Sequence, residues 1–157
     1  MVAPPTRRTF LVVVDDTPEC ARALLFAARR AERTGGQVLA IAIEPEQEFQ
    51  HWLGVENLMR EEAAEEAHRA MDRVFARLGG EVDAEVERRV FFGKRTDVIR
   101  NVIQDEPSIA QLILGAAEGP DGPGPLVSAI GHQAGAYPIP ITIVPGSLPD
   151  DVIDALA

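Results

Sequence analysis

Two carboxylates, Asp15 and Asp16, directly follow the apolar run Phe10 to Val14. A carboxylate pair at the end of a buried strand suits Mg²⁺, which takes one or two carboxylates and keeps several waters. Cys20 follows in the first turn of an expected helix, where the dipole would lower its pKa and make the thiol redox-reactive; small-residue packing is its rival role. Lysine chemistry has one candidate, Lys94, because the other 14 basic residues are arginines. His51, His68 and His132 fall in different elements without metal-ligand spacing and read as surface residues. Ser128 sits in no Gly-x-Ser-x-Gly elbow and has no matching His/Asp set, which argues against a hydrolase triad. No catalytic residue and no metal site is expected.

The elements that must position these groups belong to one domain. A chain of 157 residues buries roughly 70% of its unfolded surface. Apolar residues at 46% and charged residues at 25% are ordinary for a globular protein. The net charge of −10 repels phosphate backbones and anionic lipid, so neither nucleic acid nor a membrane is an expected partner. A single cysteine forms no intrachain disulfide. Thr6-Arg7-Arg8-Thr9-Phe10-Leu11 resembles a twin-arginine export signal. Its apolar run stops at Asp15, too short for a signal or for the roughly 20 residues of a membrane span, so the chain is expected to be cytoplasmic.

Phe10 to Val14 reads as a central strand buried on both faces. Thr17-Pro18-Glu19 reads as a helix start with Thr17 as N-cap, and Gly35-Gly36 as its stop. Val38 to Ile43 is the second strand. An irregular stretch over 45–55 carries Phe49, His51 and Trp52, with Trp52 a lid on a pocket or a plug over the core. A helix over about 55–78 ends at Gly79-Gly80, and its glutamates precede its arginines as the macrodipole favours. Ala84 to Phe92 is a strand nearer a sheet edge, and a helix opening at Arg95 or Thr96 ends at Pro107. Ile109 to Leu114, a Gly/Pro loop over 115–125, a short helix over 126–136 and a strand Ile139 to Val144 complete the chain. The alternation implies an α/β fold: a five-stranded parallel open sheet of order 3-2-1-4-5 with helices on both faces. Residues 1–8 form an N-terminal arm, 9–146 the domain and 147–157 a tail. Ligands bind such sheets beyond the carboxyl ends of the strands, where strand order reverses.

A phosphoacceptor receiver domain would use the acidic pair for Mg²⁺, with a third carboxylate ending the third strand and a lysine after the fifth. Here the third strand ends Val90-Phe91-Phe92-Gly93 and the fifth runs into Pro145-Gly146, so that reading fails. The chain instead resembles the universal stress protein family along nearly its whole length. Val13-Val14-Asp15-Asp16-Thr17 with Ala23-Leu24 resembles the family's opening strand, Asp, turn hydroxyl and helix. Val90 to Ile99 is similar to its Gly-x-Pro-x-x-x-Ile segment, with Arg95 in place of Pro. Pro138-Ile-Pro-Ile-Thr-Ile-Val144 resembles its closing strand.

The resemblance implies an adenine-nucleotide-hydrolase-like fold and a nucleotide site at Asp15, Ile43, Gly115 and Ser128. Asp15 would bond a ribose or base, or else cap the following turn. ATP-binding members resemble one another in a Gly-x-x-Gly, nine residues, Gly-Ser/Thr loop. From Gly115, the second glycine position is Glu118, and in the helix register inferred from Pro138 the Gly-Ser position falls at Val127-Ser128, with eight residues between. Glu118 and Asp121 put negative charge where phosphates would sit, and Pro120, Pro123 and Pro125 have no N–H to donate. Arg7, Arg8 or Arg95 could fold close and compensate. The expectation is a non-catalytic regulator with a degenerate loop and no cofactor; the alternative is a regulator that holds ATP or AMP. Resemblance also implies a homodimer through the fifth strand, acting on client proteins. The tail, with Val152, Ile153 and Leu156 at helical spacing, would cross that seam or fold back as a lid over the edge.

Overall fold

The apolar runs become strands of one parallel sheet because each is short, β-branched and buried. In a computed structural model that describes residues 7–46, 54–78 and 82–157, these are β1 (Thr9–Val13), β2 (Gln37–Glu44), β3 (Val86–Phe92), β4 (Ile109–Ala116) and β5 (Ile141–Pro145). Between and after them run α1 (Pro18–Thr34), α2 (Val55–Ala76), α3 (Arg95–Asp105), α4 (Pro125–Gln133) and α5 (Asp150–Leu156). The sheet order is β3-β2-β1-β4-β5, as expected. What was expected of Phe49, His51, Trp52 and Gly79-Gly80 lies outside the described residues.

Strand parity divides the core in two. Phe10, Val12, Val38, Ala40 and Ala42 face one layer with α1 and α2. Leu11, Val13, Leu39, Ile41 and Ile43 face the other, with α3 and α4. The first layer is rich in alanine on both sides of the contact, so α1 seats close to the sheet. Its C-terminus is closed by Gly35 at φ 67, and an added Cβ on Gly36 would lie 2.6 Å from the Arg8 carbonyl oxygen. The α1 start departs from expectation in one respect. Thr17 occupies the N-cap position with extended backbone but makes no side-chain cap; its hydroxyl donates back to Asp15.

Several boundaries shift for identifiable reasons. β4 continues through Gly115 and Ala116, which pair with Val144 and Pro145 of β5. β5 begins at Ile141 and not Ile139, because Pro138 and Pro140 have no N–H for the ladder. The helix expected over 126–136 is α4 followed by a 3₁₀ turn, Ala134–Ala136. The tail folds back on its own chain, but onto α1 and not over the β5 edge. Ile153 is fully buried, Arg29 bonds Asp154 at 2.8 Å, and Arg22 and Arg33 reach Asp150 and the Asp154 carbonyl. Leu156 stays 64% exposed. Among the described residues no helix is long and apolar enough to cross a membrane.

Tyr137 packs against the second layer, with Arg100 5.7 Å above its ring. Its hydroxyl is buried and has no hydrogen-bond partner among the described residues. A buried hydroxyl without a partner costs about 1–3 kcal/mol of desolvation. Tyr137→Phe keeps the ring and removes that cost, so it is expected to raise stability by about 1 kcal/mol. A urea titration that shows lower stability would mean that the hydroxyl is satisfied in solution.

Candidate functional site

Strand order reverses between β1 and β4, and a cleft of ≈ 230 Å³ opens there at their carboxyl ends. One wall is the turn from β1 into α1, with Asp15, Thr17, Glu19 and Cys20. Opposite lie Gly115 at the end of β4 and Gly124 to Val127 at the start of α4, and Arg95 enters from the first turn of α3.

Asp15 shapes the turn with one oxygen. Oδ1 accepts the Thr17 N–H at 3.1 Å and the Thr17 hydroxyl. The other oxygen has no hydrogen bond among the described residues, so the capping role and a ligand contact are compatible. Asp16 points elsewhere: it meets Arg73 on α2 at 3.2 Å and Arg77, the C-cap of α2, at 3.8 Å. The acidic pair therefore does not converge on one point, and among the described residues no group of three His, Cys, Asp or Glu could hold a metal.

Gly115 is needed for packing. A Cβ there would lie 2.3 Å from the Glu19 carbonyl oxygen and 3.2 Å from the Cys20 nitrogen. Gly146 is similarly crowded, 2.9 Å from the Ala116 carbonyl and 3.0 Å from the Glu19 Cβ. The first turn of α1 therefore packs directly on the end of β4 and on the residue after β5.

The Gly/Pro loop closes on itself. The Ala117 N–H donates to the Pro123 carbonyl at 3.0 Å, and Gly119, Gly122 and Gly124 take φ of 106°, 89° and 106°, values open to glycine. Glu118 and Asp121 are exposed, and neither lines the cleft. The acidic residues that line the cleft are Asp15 and Glu19. Ser128 is exposed on α4 and Ile43 is buried in β2, in the second core layer; neither lines the cleft. Val127 does line it while packing into the core.

Of the three arginines considered, Arg95 reaches the cleft. Arg7 pairs with Glu85 at 2.6 Å and the Arg8 carbonyl accepts from Gln37, both at the opposite end of the sheet. Pro125 at the first position of α4 has no N–H, and the Ser128 N–H is taken by the Gly124 carbonyl. Helix geometry leaves Leu126 and Val127 as the free donors. Sequence reasoning named Pro125 and Val127 but missed Glu19 and, in the opposite wall, Gly124 and Leu126. The Gly-Pro-Gly-Pro run ending in a first-turn proline was the available signal for the second.

Cys20 is 3% exposed. Its sulfur accepts the Asp15 N–H at 3.3 Å, and the thiol donates to the Val13 carbonyl at 3.6 Å. Burial, the largest influence, pushes the thiol up to about 12 from 9.0, which overrules the redox-reactive reading. At pH 8 the thiolate is then about one part in ten thousand. Iodoacetamide should label the native chain roughly a thousandfold more slowly than the unfolded chain. Equal rates, followed by mass spectrometry, would contradict this burial.

The sequence pattern of the Universal stress protein family matches residues 6–128. No curated protein matches the chain. Universal stress protein UspA from Lactobacillus plantarum shares the fold with a TM-score of 0.66 at 19% identity, covering 89% of this chain and 99% of that one. A universal stress protein family member from Burkholderia pseudomallei gives 0.64 at 14% identity, over 90% and 99%. The universal stress protein from Archaeoglobus fulgidus in complex with dAMP gives 0.54 at 16% identity, over 87% and 97%. The family pattern spans β1, the Asp15 turn, Gly115 and the first turn of α4, and the chain belongs to the universal stress protein family.

Proposed function

We propose that the protein is a non-catalytic, cytoplasmic regulator of the stress response that works as a homodimer and does not hold ATP. The observation that carries this reading is the close seat of the first turn of α1 against Gly115, which brings Glu19 into the wall of the cleft. The remaining ≈ 230 Å³ falls below the roughly 300–1,000 Å³ usual for ligand pockets. Two acidic residues and one arginine line it, and like charge opposes a polyphosphate. Such a protein acts by association with client proteins.

A second reading, a regulator that binds a small adenine nucleotide, draws support from Arg95 and the free N–H groups of α4 across the cleft from Asp15. The dAMP in the Archaeoglobus fulgidus relative belongs to the same class of ligand. Denaturing the purified chain and chromatographing the supernatant separates the readings. No stoichiometric nucleotide is expected. Released ATP would overturn the leading reading, and released AMP would favour the second.

The dimer draws support from β5. It is an edge strand, Ile143 on it is 46% exposed, Pro140 precedes it and Pro145 is its last residue. An apolar edge needs a cover, and a second copy paired antiparallel about a two-fold axis provides one. Light scattering should give twice the 17.0 kDa chain mass. Ile143→Lys should halve it, and is the cleaner variant because Ile141 packs against the core. A native monomer at micromolar concentration would contradict the dimer.

A further inference from the structure

α2 is longer than the sheet it covers. It has 22 residues, and those it buries, Ala67, Met71 and Val74, all lie in its second half. The same stripe continues toward the N-terminus as Val55, Met59 and Ala63, at the spacing of one helix face. Beneath them β2 has ended at Glu44 and β3 at Phe92. The first turns of α2 therefore overhang the strand ends, with Val55 46% and Leu58 54% exposed. Under the overhang lies a gutter of ≈ 290 Å³, its apolar wall Met59, Ala63 and Phe92 and its polar rim Glu44, Glu46 and Glu62. It shares no lining residue with the cleft at Asp15.

The chain's own Arg60 displays the chemistry of this gutter. Its guanidinium lies 5.3 Å from the centre of the Phe92 ring and bonds Glu46 at 3.1 Å. A cation on an apolar stem is held there by the ring face and a carboxylate together. Arg60 leaves the local charge unbalanced. Glu44 and Glu62 also line the gutter, and Glu56, Glu61 and Glu65 are exposed along the overhang. Charge complementarity selects a basic occupant, and exposed Val55 and Leu58 select an apolar one. A basic amphipathic helix carries both on adjoining faces.

We propose that the overhang of α2 and its gutter dock a basic amphipathic segment of a partner protein. A lysine or arginine of that segment enters between Glu44 and Glu62, and its apolar residues lie on Val55 and Leu58. This does not depend on whether the cleft holds nucleotide.

The test uses the full chain and a fluorescent amphipathic peptide built of leucine and lysine, followed by anisotropy. Saturable binding is expected, weakened by salt and reduced at least about tenfold by Glu44→Gln with Glu62→Gln, and by Leu58→Ser. All three side chains are at least partly exposed, and circular dichroism checks that the variants keep the fold. A peptide with glutamate in place of lysine should not bind, and one with serine in place of leucine should bind far more weakly. The proposal is overturned by absence of binding up to about 1 mM peptide. It is equally overturned if the serine peptide binds as well, which is plain charge attraction, or if the variants bind unchanged, which places the peptide elsewhere. Loss of native mass in Leu58→Lys by light scattering would assign the overhang to a second copy of this chain and overturn it too.

Discussion

The close seat of α1 on the centre of the sheet is the contact on which the other features depend. Ala21, Ala23, Ala27 and Ala31 of the helix share one cluster with Ala40 and Ala42 of β2. Small side chains on both surfaces reduce the spacing between helix and strands. The consequence appears at both ends of α1, where only glycine fits: Gly115 and Gly146 under its first turn, Gly36 after its last. Each of these positions gives up apolar area worth roughly 25 cal/mol per Å². Leucines at 24 and 25, both buried, supply bulk on the flanks of the contact.

The same seat decides what the cleft can be. A helix start brought this close to β4 presents Glu19 and the Cys20 amide where a looser packing would leave room. It also buries Cys20 between Val13 and the Asp15 turn, so that the thiol serves as a hydrogen-bonded filler. Asp15 and Asp16 then divide their work. The first folds the turn and lines the cleft, while the second ties the turn to Arg73 of α2 and to Arg77 at its C-cap. Such exposed pairs add little stability each, but they orient the turn relative to both helices of that layer.

The strands, the helices and their order were legible because burial on both faces writes continuous apolar runs, and glycine or proline punctuates them. Gly35-Gly36 and Pro107 stop helices where they stand in the chain. The direction taken by the loop after β4 was not legible. Three positive-φ glycines and the Ala117–Pro123 bond turn Glu118 and Asp121 to solvent, and a linear count of loop residues cannot sense that curvature. The role of Gly115 was hidden for a related reason. A glycine that admits a phosphate and a glycine that admits a helix are the same letter, and only the approach of Glu19 distinguishes them. The docking of the tail on α1 depends on Arg22, Arg29 and Arg33, whose spacing also fits an ordinary solvated helix face.

The two edges of the sheet are protected by different physics, and this makes the molecule one-sided. Along β3, Arg88 lies 3.9 Å over the Phe75 ring and pairs with Asp72, while Arg89 reaches Glu87 and Glu106. Charged side chains held in place along a strand discourage the approach of another strand, because pairing would desolvate them. Along β5 that protection is missing. Its residues read Ile-Thr-Ile-Val-Pro, Thr142 is tied inward to Gln111, and Ile143 is left exposed. Proline limits how far a new ladder can extend, so an added strand would be short and defined in register. Association through the sheet is therefore open at β5 and discouraged at β3. That leaves the α2 overhang, which stands beyond the β2 and β3 ends, on the side of the molecule away from β5.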